Sequence, residues 1–137
     1  MYHLHPTLAA DTFYLGRLTL CDVLLMNNSS YPWLILVPRR AAIREIYELD
    51  LDDQALFSQE SNEVAQKLAA YTKADKMNVA ALGNMVPQLH LHIIARYTTD
   101  AAWPQPIWLN PAPTPYDPEK KQQLITALRA LLEIQES

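Results

Sequence analysis

The chain has 137 residues, half of them hydrophobic and 19% charged, a composition that builds one packed domain and excludes disorder over most of its length. Fifteen acidic side chains against eleven basic ones leave a net charge of -4, so no general positive field exists to hold a nucleic acid backbone, and nucleic acid is not an expected partner. The only glycines, Gly16 and Gly83, stand too far apart for a P-loop or a GxGxxG turn, and no serine is flanked by glycines as a nucleophile elbow requires.

The N-terminus, Met-Tyr-His-Leu-His-Pro, lacks a positive segment followed by an apolar one, so a cytoplasmic location is expected and the first residues are expected to be mobile. Phe13 to Leu15, ending at Gly16, reads as an edge strand. Leu18 to Met26 and Trp33 to Val37 are apolar runs separated by the turn-prone Asn27-Asn28-Ser29-Ser30 and closed by Pro38, the pattern of an antiparallel hairpin. The single cysteine, Cys21, sits in the first run and reads as a buried, inert thiol with no disulfide partner.

Asp50 stands as an N-cap with Asp52 and Asp53 in the first turn, and Phe57, Val64, Leu68 and Tyr71 follow at helical spacing, predicting a helix to about Lys73. The acidic residues between Glu45 and Glu63 read as its solvated face. Met77 to Leu82 and Leu89 to Tyr97 predict a second strand pair joined around Gly83 to Pro87. The uncharged stretch from Met77 to Ala95 is interrupted by Asn78, Gly83, Asn84, Pro87, Gln88 and two histidines, so no membrane span is expected. Residues 104–118 are rich in proline with Trp103 and Trp108 in or beside them, which predicts an irregular strap that serves as a lid over the site or as a dimer contact. Asp117 as N-cap and Pro118 at the first helical position then open a helix to about residue 135, with Leu124, Leu128 and Leu131 as its stripe. Helices alternating with hairpin-joined strand pairs favour an α+β domain on an antiparallel sheet, spanning residues 1–137.

The segment that carries chemistry is Pro87-Gln88-Leu89-His90-Leu91-His92-Ile93-Ile94-Ala95-Arg96. Alternation along a strand puts Gln88, His90, His92 and Arg96 on one face and Leu89, Leu91, Ile93 and Ala95 on the other. No acidic residue occurs between Lys76 and Thr99, which suits an anion. Three readings of the pair stand side by side: two buried histidines satisfied by neighbours; a zinc site completed by His3 and His5; or nucleophilic attack on phosphorus by a neutral imidazole whose tautomer is fixed by a backbone carbonyl. Arg39 and Arg40 read as solvated side chains outside the site.

The stretch Gln88-Leu89-His90-Leu91-His92-Ile93-Ile94 resembles the motif of the histidine triad family, His-φ-His-φ-His-φ-φ with φ apolar, at every position but the first. Leu24-Leu25-Met26-Asn27 and Leu34 to Arg40 look like the family's nucleoside-binding strand pair, with Trp33 where many members carry a His, so the resemblance spans about residues 11 to 97. It implies a five-stranded antiparallel sheet with a long central helix and a C-terminal helix, paired in a homodimer. It also implies release of a nucleoside monophosphate from a dinucleoside polyphosphate or a phosphoramidate through a covalent nucleotidyl-histidine, with no cofactor or metal required. His90 would be the nucleophile, His92 a ligand of the scissile phosphate, Asn27 a ribose ligand and Asn84 a loop residue near the phosphate, while Gln88 keeps the backbone carbonyl of the first position but cannot titrate. The Gln leaves a second outcome open, a non-catalytic nucleotide-binding module.

Overall fold

The computed structural model describes residues 1–109 and 112–135. Helix α1 (Pro6–Asp11) starts on the His5 ring, whose Nδ1 accepts the Thr7 amide, with proline at its first position. Three strands follow as a meander, β1 (Thr12–Arg17), β2 (Cys21–Met26) and β3 (Trp33–Pro38). The predicted hairpin is the β2–β3 pair, with Val23 opposite Leu36. The expected edge strand is β1, longer than predicted, and its register shifts between Tyr14 and Gly16. Gly16 has a φ of 148°, and a Cβ there would lie 2.5 Å from the Gln135 carbonyl oxygen, so only glycine fits this bulge.

Helix α2 (Leu51–Thr72) is capped by the Asp50 carboxylate, which accepts the Asp53 amide, and ends at Lys73 in the left-handed conformation. Strands β4 (Lys76–Ala80) and β5 (Leu91–Arg96) pair antiparallel, joined by a ten-residue loop, and helix α3 (Pro118–Leu132) closes the chain on the Asp117 cap. Strand order is β1-β2-β3-β5-β4. All four neighbouring pairs are antiparallel, as the α+β reading requires. Among the described residues no helix is long and apolar enough to cross a membrane.

Both sheet faces are covered, which is why β3 and β5 are buried at every position. On one face Val23, Leu25, Leu34, Leu36 and Ile93 pack with Phe57, Val64 and Leu68 of α2 and Ile125, Leu128 and Leu132 of α3; each such side chain contributes about 1.5–3 kcal/mol of apolar burial. On the other, Leu24, Trp33, Ile35 and Ile94 pack with Leu8 of α1, Tyr31, Val86 and Ile107. The α3 stripe is therefore centred one residue beyond the expected one: Leu124 and Leu131 flank it and are only partly buried. Tyr71 leaves the apolar face of α2 and is 48% exposed.

Three further expectations are corrected. The acidic run is not all solvated: buried Glu60 accepts the Leu20 and Cys21 amides, closing the β1–β2 turn, and Asp53 pairs with Arg40. Arg39 donates to the Leu18 and Thr19 carbonyls, so neither arginine is free in solvent. Residues 104–118 are not wholly irregular, because Ile107–Leu109 form a 3-10 turn; Asn110 and Pro111 of the strap lie outside the described residues. Cys21 is buried as expected, and that burial pushes its thiol far up.

Candidate active site

The two histidines come together at the start of β5, with His92 in the strand and His90 just before it. Their rings lie 4.9 Å apart at an interplanar angle of 73°, and both are buried. The Nδ1 of His90 is 2.7 Å from the Gln88 carbonyl oxygen. A carbonyl only accepts, so Nδ1 carries the proton and Nε2 presents a lone pair. His92 is fixed the opposite way: the Trp33 indole, a donor only, gives its Nε1–H to His92 Nδ1 at 3.0 Å, so the neutral ring keeps its proton on Nε2. Burial, and after it the electrostatic effect of the neighbouring His90 ring, pushes His92 down to about 4, so it is a neutral donor at neutral pH.

Trp108 from the strap completes the wall, with its ring 4.8 Å from His92 and 5.7 Å from Trp33. The two indoles also line a cavity of about 430 Å³ shared with Asn27, Ala10 and Asp11. His90 lines a second cavity of about 270 Å³ with Gln88, Gly83, Arg44 and Tyr47. His92, touching Trp33, Trp108 and His90, stands between the two spaces.

The remaining expected site residues divide. Asn27 lines the larger cavity and its Oδ1 accepts the Tyr116 amide at 2.9 Å, tying the strap to the end of β2. Asn84 is exposed in the loop before Gln88 and lines neither cavity. Gln88 supplies the carbonyl expected of it, while its side chain accepts from the His5 amide and donates to the His3 carbonyl. Arg96 does not share an anion-facing surface with the histidines. Its guanidinium is buried against Asp100, Asn78 and the Gln105 carbonyl, between the Tyr31 and Trp103 rings.

The terminal arm is docked, contrary to expectation: Tyr2 Oη donates to Asp22, and Tyr2 and Leu4 pack on the second core. Among the described residues no group of three or more His, Cys, Asp or Glu gathers to hold a metal, so the His3 and His5 rings do not complete a zinc site with the pair. Trp33 as partner of His92 escaped sequence reasoning; of the two tryptophans in or beside the strap, Trp108 is the one whose ring meets His92. The signal for Trp33 was present in its alternation with Ile35, which pairs with His92 across the ladder.

The five-stranded antiparallel sheet, with His90 and His92 brought together at the start of β5, is the arrangement of the histidine triad class. A family model for the HIT domain matches residues 7–99, and the chain belongs to that family. It is similar in structure to a histidine triad protein of Marinobacter aquaeolei at 53% identity, with 97% of each chain covered and a TM-score of 0.95. A histidine triad protein of Bradyrhizobium japonicum matches at 48% identity over 96% of this chain and 98% of that one, with a TM-score of 0.93. One of Sinorhizobium meliloti matches at 42% identity over 94% and 96%, with a TM-score of 0.91. No curated protein matches the chain at a significant level. Family membership supports nucleotide binding or nucleotide hydrolase or transferase chemistry.

Proposed function

We propose that the chain is a nucleotide hydrolase or transferase that takes a nucleoside monophosphate from a dinucleoside polyphosphate or a phosphoramidate through a nucleotidyl-His90 intermediate. What carries the reading is the pair of opposed tautomers, a lone pair on His90 Nε2 beside a donor on His92 Nε2. The lone pair attacks the α-phosphorus; the N–P bond forms as the bond to the leaving group breaks, with the electron pair departing on that group. The Gln88 carbonyl holds the Nδ1 proton of the resulting imidazolium, and His92 donates to a phosphate oxygen as charge develops there. Water then attacks phosphorus and gives up one proton to solvent, the N–P bond breaks with its electron pair returning to Nε2, and His90 is back in its starting tautomer.

Neither neighbour is acidic enough to pass a proton to the leaving group: Gln88 does not titrate, and His92 is an uncharged imidazole. Of the two substrate classes this favours the phosphoanhydride, whose leaving phosphate departs as a stable anion. Asn27 serves as the ribose ligand and Asn84 as a phosphate-side loop residue in the same reading. So does a homodimer across the open edge of β4, where Val79 is 51% exposed and Met85 of the adjoining loop 93%. A cytoplasmic location belongs to it too and rests on the sequence alone.

Incubation with diadenosine tetraphosphate and rapid quenching tests the proposal. AMP should accumulate, and the protein should gain the mass of one adenylyl group on His90. Binding without any AMP would replace the enzyme with a nucleotide-binding module.

The Trp33 donor has its own expected effect. Trp33→Phe removes the N–H that holds His92 in one tautomer and favours its neutral form, so kcat/KM should fall about tenfold. The His92 pKa, held down at about 4 in the native protein, should move up when followed by NMR titration of the ring. An unmoved titration would show that the indole does not govern His92.

A further inference from the structure

The Gln88 side chain lies across the N-terminal arm in a way that mimics a peptide group. Its Oε1 accepts the His5 amide at 2.9 Å and its Nε2 donates to the His3 carbonyl at 2.8 Å. On an extended segment the C=O of one residue and the N–H of the residue two further on point the same way. A primary amide offers a donor and an acceptor side by side and satisfies both. His5 is also the residue that caps α1, through its ring. From there α1 runs to Ala10 and Asp11, which line the cavity that holds Asn27, and the Asp11 carbonyl accepts the Asn27 amide. The same Gln88 sets the His90 tautomer through its main-chain oxygen.

We infer that Gln88 is a positioning residue: its amide clasps the arm that leads into α1, so that the end of α1, a wall of the nucleotide site, is held in step with the nucleophile. The inference rests on the proposed function, and it gives the first motif position a role in nucleotide affinity in place of proton transfer. The clasp has a backbone on one side and a side chain on the other, so each half can be removed independently.

The test compares wild type, Gln88→Ala, Gln88→Glu and a chain lacking residues 1–5, using hydrogen exchange at the His5 amide and kinetics with diadenosine tetraphosphate. In Gln88→Ala, His5 exchange should quicken by at least about tenfold, KM should rise about three- to fivefold and kcat should stay within about twofold. Gln88→Glu keeps the acceptor for His5 and loses the donor to His3, so its exchange and KM should fall between the two. The shortened chain, which also loses the Tyr2 and Leu4 packing and the His5 cap, should raise KM at least as far as Gln88→Ala does, and adding Gln88→Ala to it should change nothing further. Unchanged His5 exchange, an unchanged KM, effects that multiply in the combined variant, or a loss confined to kcat would each overturn the clasp. A wild-type protein that turns over no nucleotide would instead sink the proposed function.

Discussion

His90→Ala is expected to lower turnover by roughly a thousandfold or more, as removal of a covalent nucleophile does elsewhere. The Nε2 of His90 is set for attack by the bond of its own Nδ1–H to the Gln88 carbonyl. No other side chain in the site is placed the same way: His92 has its Nδ1 occupied by Trp33 and its proton on Nε2. Nucleotide affinity should survive, because the larger cavity is lined by Asn27, Trp33, Trp108 and α1 and does not include His90. Single-turnover kinetics and calorimetry with AMP on the same preparation separate the two quantities. Turnover at the native rate would remove His90 from the role of nucleophile. The contrast with Gln88→Ala, whose total effect should stay below about tenfold, is the sharpest available, since a lost acid–base group would cost about a hundredfold or more.

Asp100→Ala is expected to cost about 3–5 kcal/mol of stability, because it leaves the Arg96 guanidinium buried without its counter-charge. The ion pair is almost wholly enclosed, with side-chain exposures of 1% for Arg96 and 3% for Asp100. Both carboxylate oxygens take a guanidinium N–H, at 2.8 and 3.0 Å, and further accept the amides of Tyr97, Ala102 and Trp103. A loss of that size is a large part of the about 5–15 kcal/mol that holds a typical domain together. Hydrogen bonding from Arg96 holds the Asp100 carboxyl down to about 2, against an ordinary 3.8. Its folded pKa is the lower one, so its contribution is present above pH 3.8 and drains away as pH falls toward 2. His92 acts in a higher window: unfolded chains take up its proton near 6.5 and the folded chain only near 4, so stability declines across that interval as pH falls. Urea unfolding from pH 7 to pH 2 on native and Asp100→Ala proteins checks both statements. A variant within about 1 kcal/mol of native at pH 7 would show that the pair is not a structural centre.

What the sequence made legible was governed by near neighbours. Period and capping residues located α2 and α3, because Asp50 and Asp117 act on amides two or three residues away. Strand alternation brought out His90 and His92 for the same reason. Arg96 obeyed the same alternation yet serves structure, since its partners Asn78 and Gln105 come from a neighbouring strand and from the strap. Glu60 looked like one more solvated acid until the β1–β2 turn, 40 residues earlier, brought it two amides. The Gln88 clasp joins residues 83 and 85 positions apart, a separation at which no local pattern records a pairing.

The order of strands also bears on how the active site comes into being during folding. β1, β2 and β3 pair as consecutive neighbours and need only short loops to close. The β3–β5 pairing closes over the whole of α2 and β4, and the Trp33–His92 bond spans 59 residues. Long-range closures carry the larger entropic cost and lag behind local ones. The meander therefore forms a template with Trp33 already on its outer strand, and β5 delivers both histidines to it in one docking step. A chain caught before that step holds most of its sheet but no paired imidazoles, so recovery of activity on refolding should trail recovery of β-structure, with β3–β5 pairing as the event that separates them.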